Sequence, residues 1–190
     1  MNKLIQQEIS DHIELVSNLS SIIDDISQAA SLIVNSLNEG GKLLLFGNGG
    51  SAADAQHIAT EIVCRYKRNR KALPAIALTT DTSALTAISN DFSYNNVFSR
   101  QVEALCNKND VLIGISTSGN SQNVILGLNA AKKNGAKTIA LTGLNSKKME
   151  NICDTIINVP SSDTARIQEI HILIGHCICQ IIDEKSLEKL

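Results

Sequence analysis

The chain has 190 residues, 43% of them hydrophobic and 19% charged, with a formal net charge of −2. That is the size and composition of one soluble globular domain, able to bury a full core without a disulfide or a structural metal. The mixed, near-neutral charge argues against a nucleic-acid surface, and no stretch approaches the ~20 apolar residues of a membrane span. The N-terminus, MNKLIQQEIS, has no apolar signal core, and Cys64, Cys106, Cys153, Cys177 and Cys179 are scattered. Buried free thiols and a cytoplasmic location are the expectation.

Residues 2–39 predict two helices. Leu4, Ile5, Ile9, His12, Ile13 and Val16 recur with a helical period, and Ile22, Ile23, Ile26, Ala30, Ile33, Val34 and Leu37 do so again up to Gly40-Gly41. From Lys42 onward, short apolar runs alternate with helical segments. KLLLF (42–46), AIAL (75–78), VLIGI (111–115), KTIAL (137–141) and TIINV (155–159) predict strands. Helices are expected over 52–66, 82–89, 96–106, 121–134, 146–151 and 162–187. The basic run from Arg65 to Lys71 reads as the solvated end of the first of these. Strands so short and uniformly apolar are buried on both faces, which requires a parallel sheet covered by helices. The expected fold is α/β, a three-layer sandwich around a five-stranded parallel sheet with right-handed crossovers. A single domain is expected over 1–190, with an N-terminal helical extension over 1–40 and the α/β core over 41–190. Such sheets bind ligands at the carboxyl ends of their strands.

Two of those ends carry chemistry. The first strand runs into Phe46-Gly47-Asn48-Gly49-Gly50-Ser51, where glycines permit a sharp turn and close approach to a ligand, and Ser51 sits where a helix N-cap belongs. The segment lacks the Gly-Lys-Ser/Thr ending of a P-loop and the third glycine of a dinucleotide fingerprint. The third strand runs into Gly114-Ile115-Ser116-Thr117-Ser118-Gly119-Asn120-Ser121. Four hydroxyls converge there on a helix N-terminus, whose free N–H groups and partial positive charge bind phosphate without a lysine.

FGNGGS after the first strand and GISTSGNS after the third resemble the signature of the sugar isomerase (SIS) family. Three further segments narrow the resemblance to the phosphoheptose isomerases: Asp54 to Glu61, Asn90-Asp91-Phe92 with Phe98-Ser99-Arg100, and Arg166 to His171 running on to His176. The resemblance implies an aldose–ketose isomerase that converts sedoheptulose 7-phosphate to D-glycero-D-manno-heptose 7-phosphate through an enediol. In that family the reaction opens the route to the heptose of bacterial surface polysaccharides, lipopolysaccharide or capsule among them. Two alternatives stay open: another single-domain sugar-phosphate isomerase, and a non-catalytic relative that binds the replication initiator.

The chemistry gives the matching residues reasons. Moving a hydrogen between C1 and C2 needs a base for the carbon-bound proton and an acid to serve the two oxygens. His57 and Glu61 are an i, i+4 pair on one helix face. Gln168 and His176, eight residues apart, lie within about 80° of each other around the last helix. By resemblance, Glu61 is the base and His176 its acid–base partner. The resemblance also makes His57, Glu61, Gln168 and His176 a zinc site, one ion per subunit, not necessarily essential. The substrate contacts it implies are Asn48, Gly49, Gly50, Glu61, Asn90, Asp91, Ser116, Thr117, Ser118, Ser121 and Gln168. Arg65 and Arg166 fall at family-like positions as supports, and His171 as a structural or supporting residue.

A homo-oligomer, a tetramer of the family type with its active site between subunits, is expected as the only macromolecular partner. Gln168 and His176 are separated by about 12 Å along one helix axis, whereas a zinc-bound imidazole nitrogen sits about 2 Å from its ion. Ligands from a neighbouring helix or chain would relieve that mismatch. The apolar N-terminal helices also need a surface to cover.

Overall fold

The structure, a computed structural model, describes residues 1–186. Five strands form one parallel sheet in the order β2-β1-β3-β4-β5. They are β1 (Leu43–Gly47), β2 (Ala75–Ala77), β3 (Val111–Ser116), β4 (Lys137–Thr142) and β5 (Thr155–Asn158). The central strands are buried along their whole length because successive side chains enter opposite layers. Leu43 and Leu45 face one layer, where they meet α2 (Ile23–Asn38), α3 (Gly50–Val63) and α7 (Thr164–Ser186) through Ile33, Ile62 and Ile174. Leu44 and Phe46 face the other, against α5 (Val97–Leu105) and α6 (Gln122–Lys133) through Phe98 and Leu128. The expected three-layer α/β architecture is what forms.

The N-terminal region comprises α1 (Asn2–Ser17), a 3-10 turn (Leu19–Ile22) and α2. Its second helix is integral to the core, with Ala29, Ala30 and Ile33 fully buried. The first joins it near its C-terminal end, through Leu15, while Leu4, Ile5, Ile9 and Ile13 stand exposed along it. It is tied to α7 by polar contacts, His12 Nδ1 to Glu169 Oε2 at 2.7 Å and Arg166 Nη2 to Glu8 Oε2 at 3.2 Å.

Several boundaries depart from the sequence expectations. The helix expected over 52–66 starts earlier, with Gly49 as its N-cap, so Ser51 is buried inside the first turn instead of capping it. It also ends earlier, at Val63. The basic run is therefore no helix end, and Arg70 is drawn into the protein, its side chain only 1% exposed. Residues 146–151 form successive turns, Met149 N–H donating to Ser146 O and Ile152 N–H to Met149 O, rather than a helix. Six residues supply too few bonds to offset helix nucleation, and the turns suffice to bury Met149. Helix α4 (Thr82–Asp91) runs two residues past its expected end. The last helix starts at Thr164, and residue 187 of its expected span lies outside the described residues. Among the described residues no helix is long and apolar enough to cross a membrane.

Candidate active site

The two ligand-type loops lie side by side, because β1 and β3 are neighbours and Gly47 is in register with Ile115. In the hydroxyl loop, Ser116 is buried and its Oγ donates to Ser121 Oγ at 2.9 Å, which closes the loop across the N-terminus of α6. Ser118 Oγ accepts from Asn120 N–H, while Thr117 O accepts from Gly143 N–H and ties the loop to β4. Gly119 makes the turn with φ +64°, and a Cβ there would overlap the Asn145 carbonyl, so no other residue fits. Ser121 is the N-cap of α6 and makes no side-chain cap bond. That leaves first-turn amides to point at an anion.

Opposite, Asn48 is joined to Asn123 of α6 by two amide–amide bonds, 2.9 and 2.8 Å, and receives the Tyr94 hydroxyl at 3.0 Å. Gly49 and Gly50 are exposed beside it. Asn90 and Asp91 stand exposed at the end of α4, Asn90 Nδ2 donating to Asp91 Oδ1. They reach the glycine loop through Tyr94, which follows them. The Gln168 amide rests on this loop too: a Cβ on Gly50 would come within 2.5 Å of Gln168 Nε2.

The second cluster lies further along α3 and α7. His57 Nε2 is 3.2 Å and His176 Nε2 3.5 Å from Glu61 Oε1, and the two imidazoles meet edge to face at 5.2 Å. Gly175 permits this meeting: a Cβ there would lie 2.7 Å from Ile58, so its absence lets α7 close on α3 beside His176. The ligand atoms of His57, Glu61 and His176 lie within 4.8 Å of one another. Two imidazoles and a carboxylate are the donor set of a zinc-type ion. Glu61 Oε2 is buried with no hydrogen-bond partner, a state that a positive charge would relieve. The residues fit a metal ion.

Gln168 is not among them. It belongs with Gly50, eleven residues or about 16 Å up α3 from Glu61. One chain thus brings together three of the four expected ligands and holds the fourth at the loop end. Arg65 bonds Asn69 at the surface, and Arg166 holds Glu169 at 2.6 Å. His171 is wholly buried, its Nε2 3.2 Å from Thr142 O, and burial pushes its pKa down to about 4 despite that carbonyl. It is a neutral core residue tying α7 to β4.

Sequence reasoning passed over several neighbours of these groups. Tyr66 stacks on His176 at 5.5 Å. Asp54, one turn before His57, is pushed up in pKa by burial against the opposing pull of His57. Cys179 lies under Glu61, its thiol pushed up by burial and by that carboxylate. An acidic residue at i−3 from a helix histidine was the legible signal for Asp54; Tyr66 and Cys179 depend on how α3 meets α7.

Comparison with known proteins supplies the setting. Residues 9–143 match the family model described as the SIS domain. The chain is 55% identical over 186 residues to the phosphoheptose isomerase of Aliarcobacter butzleri, covering 97% of this chain and 98% of that protein. The phosphoheptose isomerase structure from Neisseria gonorrhoeae superposes with a TM-score of 0.90 at 45% identity, covering 96% of this chain and 98% of that one. The sugar isomerase domain of an RpiR transcription factor from Sphaerobacter thermophilus shares the fold alone, with a TM-score of 0.70 at 18% identity over 98% of this chain and 93% of that one.

Proposed function

The chain belongs to the SIS-domain family and, within it, to the phosphoheptose isomerases, and on that premise we propose that it converts sedoheptulose 7-phosphate to D-glycero-D-manno-heptose 7-phosphate. The observation that carries this reading is the meeting of His57 and His176 on one oxygen of Glu61, in a chain that also builds the hydroxyl loop. A non-catalytic sugar-phosphate binder needs the loop and has no use for the cluster.

Ser116, Thr117, Ser118, Ser121 and the first amides of α6 hold the phosphate. Asn48, Gly49, Gly50, Asn90, Asp91 and Gln168 orient the sugar. Glu61 removes the proton from C1 or C2 and returns it to the other carbon, and a carboxylate packed under a lid of imidazoles is suited to that. His176 passes protons between the two substrate oxygens, with Tyr66 stacked on its ring to hold its plane. His57, Glu61 and His176 would hold the zinc ion, with a neighbouring chain's Gln168 as the fourth ligand. When bound, such an ion would polarise the C1 or C2 oxygen of the substrate or serve to organise the site.

The reading extends to a homotetramer with the site shared between subunits. The glycine loop and Gln168 sit at one end of α3 and α7, and the Glu61 cluster sits about 10–16 Å along. A neighbouring chain's loops and Gln168 could meet the cluster where its own do not. Leu4, Ile5, Ile9 and Ile13 on α1, and Val63 and Ile76 near the edge strand, provide apolar surface for such assembly. The whole chain is read as one SIS domain of the cytoplasm.

The deciding experiment follows sedoheptulose 7-phosphate by NMR in deuterated water. Wild type should produce the aldose phosphate and wash deuterium into C1 or C2. Glu61→Gln should still bind the sugar phosphate and lose at least about a hundredfold in turnover, with exchange lost in parallel. Near-normal turnover by that variant would remove Glu61 from the role, and wild type without isomerisation would sink the assignment.

A further inference from the structure

We propose that Asn123 and Tyr94 are positioning residues that fix Asn48 as a hydrogen-bond donor toward an acceptor oxygen of the bound sugar phosphate. This rests on the isomerase reading above and deepens it. The main-chain N–H of Val124, in the first turn of α6, can only donate, and it donates to Asn123 Oδ1 at 2.9 Å. That settles which end of the Asn123 amide is oxygen. The same oxygen accepts from Asn48 Nδ2 at 2.9 Å, and Asn123 Nδ2 donates to Asn48 Oδ1 at 2.8 Å. With the Asn48 amide oriented, the Tyr94 hydroxyl at 3.0 Å from Asn48 Oδ1 must be the donor in that contact.

The hydrogen-bond inventory of Asn48 then follows. A side-chain amide has two acceptor positions on oxygen and two N–H donors. Both acceptor positions are used, by Asn123 and Tyr94, and one N–H is used on Asn123. One N–H is left, on a half-buried side chain at the carboxyl end of β1 beside exposed Gly49 and Gly50. Asn48 can therefore offer a ligand a donor and nothing else, which suits phosphate or hydroxyl oxygen. Asn123 is 3% exposed and Tyr94 57% exposed, so the relay runs from the core to the mouth of the site. It joins three separate pieces of the site: the helix behind the hydroxyl loop, the glycine loop, and the segment after Asn90 and Asp91.

A double-mutant cycle tests this, read as calorimetric binding of sedoheptulose 7-phosphate to the full-length protein. Tyr94→Phe and Asn123→Ala should each weaken binding about two- to tenfold, the size of one neutral hydrogen bond. In an Asn48→Ala background, where nothing remains to be oriented, both costs should fall to near zero. A residue that merely supports the fold would cost the same in both backgrounds, and that result, or no cost in the wild-type background, overturns the relay. Tyr94 is at the surface, so Tyr94→Phe keeps the test decisive if Asn123→Ala folds poorly. Absence of wild-type binding would defeat the functional reading and the relay with it, whereas wild-type binding with equal costs defeats the relay alone.

Discussion

Arg70 and Asp183 form an ion pair with no access to solvent, Nε to Oδ1 at 2.7 Å, with side chains 1% and 0% exposed. Asp183 is on α7, one helical stretch beyond His176, and its other oxygen accepts the N–H groups of Lys67 and Arg68. Arg70 gives three of its other four N–H donors to the carbonyls of Glu61, Ile62 and Lys71. The pair thus caps the C-terminal end of α3 at Glu61 itself and binds that end to the helix of His176. Burial alone would raise the Asp183 carboxyl, but the Arg68 N–H, the Arg70 side chain and the Lys67 N–H hold it below its usual range.

Breaking such a pair from one side leaves a buried charge without its partner, at a cost of about 3–5 kcal/mol. Asp183→Leu and Arg70→Met are each expected to lower stability by that order in urea unfolding. The double change Arg70→Met with Asp183→Leu should cost less than the sum, because it strands no charge. Additive losses would show that the two residues act separately.

His171 should make the protein acid-sensitive above the carboxylate range. Its pKa is about 4 folded, pushed down from 6.5 by burial. The unfolded chain therefore binds the proton more readily, so stability is fully present above about pH 6.5 and is lost as pH falls toward 4. At 1.36 kcal/mol per unit the whole loss is on the order of 3 kcal/mol, with most of it gone by pH 5. Urea unfolding at pH 7 and pH 5 should show this drop in wild type and a smaller one in His171→Leu. An identical pH slope in the two proteins would clear His171 of the effect.

Gly175 sets the gap between the two helices that carry the cluster. In Gly175→Ala the new methyl meets Ile58, itself buried, at 2.7 Å. Ile58 has little room to yield, so the helices must separate by a few tenths of an ångström. Overpacking of this kind costs about 1–3 kcal/mol, and here it also draws His176 away from Glu61. The expected result is a folded protein with weakened binding of zinc or of cobalt as a spectroscopic probe. Unchanged metal binding in a destabilised protein would mean that the cluster tolerates the shift.

Arg70, Asp183 and Gly175 also mark what the sequence could and could not tell. The strands were legible because runs such as Leu43 to Phe46 satisfy both faces of a buried strand and nothing else. The pair His57 and Glu61 was legible because helical spacing alone puts them on one face. The early end of α3 was not, since it depends on Arg70 finding Asp183 more than a hundred residues away. Nor was Gly49 as the helix N-cap, where the loop conformation outweighs the intrinsic capping preference of Ser51. The contact of His176 with Glu61 depends on the approach that Gly175 allows, and the relay of Asn48 and Asn123 on a loop and a helix start that become neighbours through β1 and β3.

The sharing of the site between subunits can be tested by mixing inactive variants, and the geometry dictates which pairs to mix. Glu61 and His176 meet within one chain, 3.5 Å apart. Mixing Glu61→Gln with His176→Ala should therefore restore nothing, because every cluster in the mixture carries one defect. The glycine and hydroxyl loops lie at the other end of α3, and in the proposed tetramer a neighbour's loops serve the cluster. Mixing Glu61→Gln with the double variant Ser116→Ala, Ser121→Ala should then return activity, since some sites combine an intact cluster with intact loops. Random pairing of equal amounts would make roughly a quarter of sites complete. The subunits are dissociated, mixed and reassociated, with exchange verified by mass spectrometry of the mixed oligomers. Recovery in the second mixture alone supports the shared site. If exchange is complete and neither mixture recovers, loops and cluster of the same chain serve one substrate, and a monomer in light scattering would dispose of the shared site altogether.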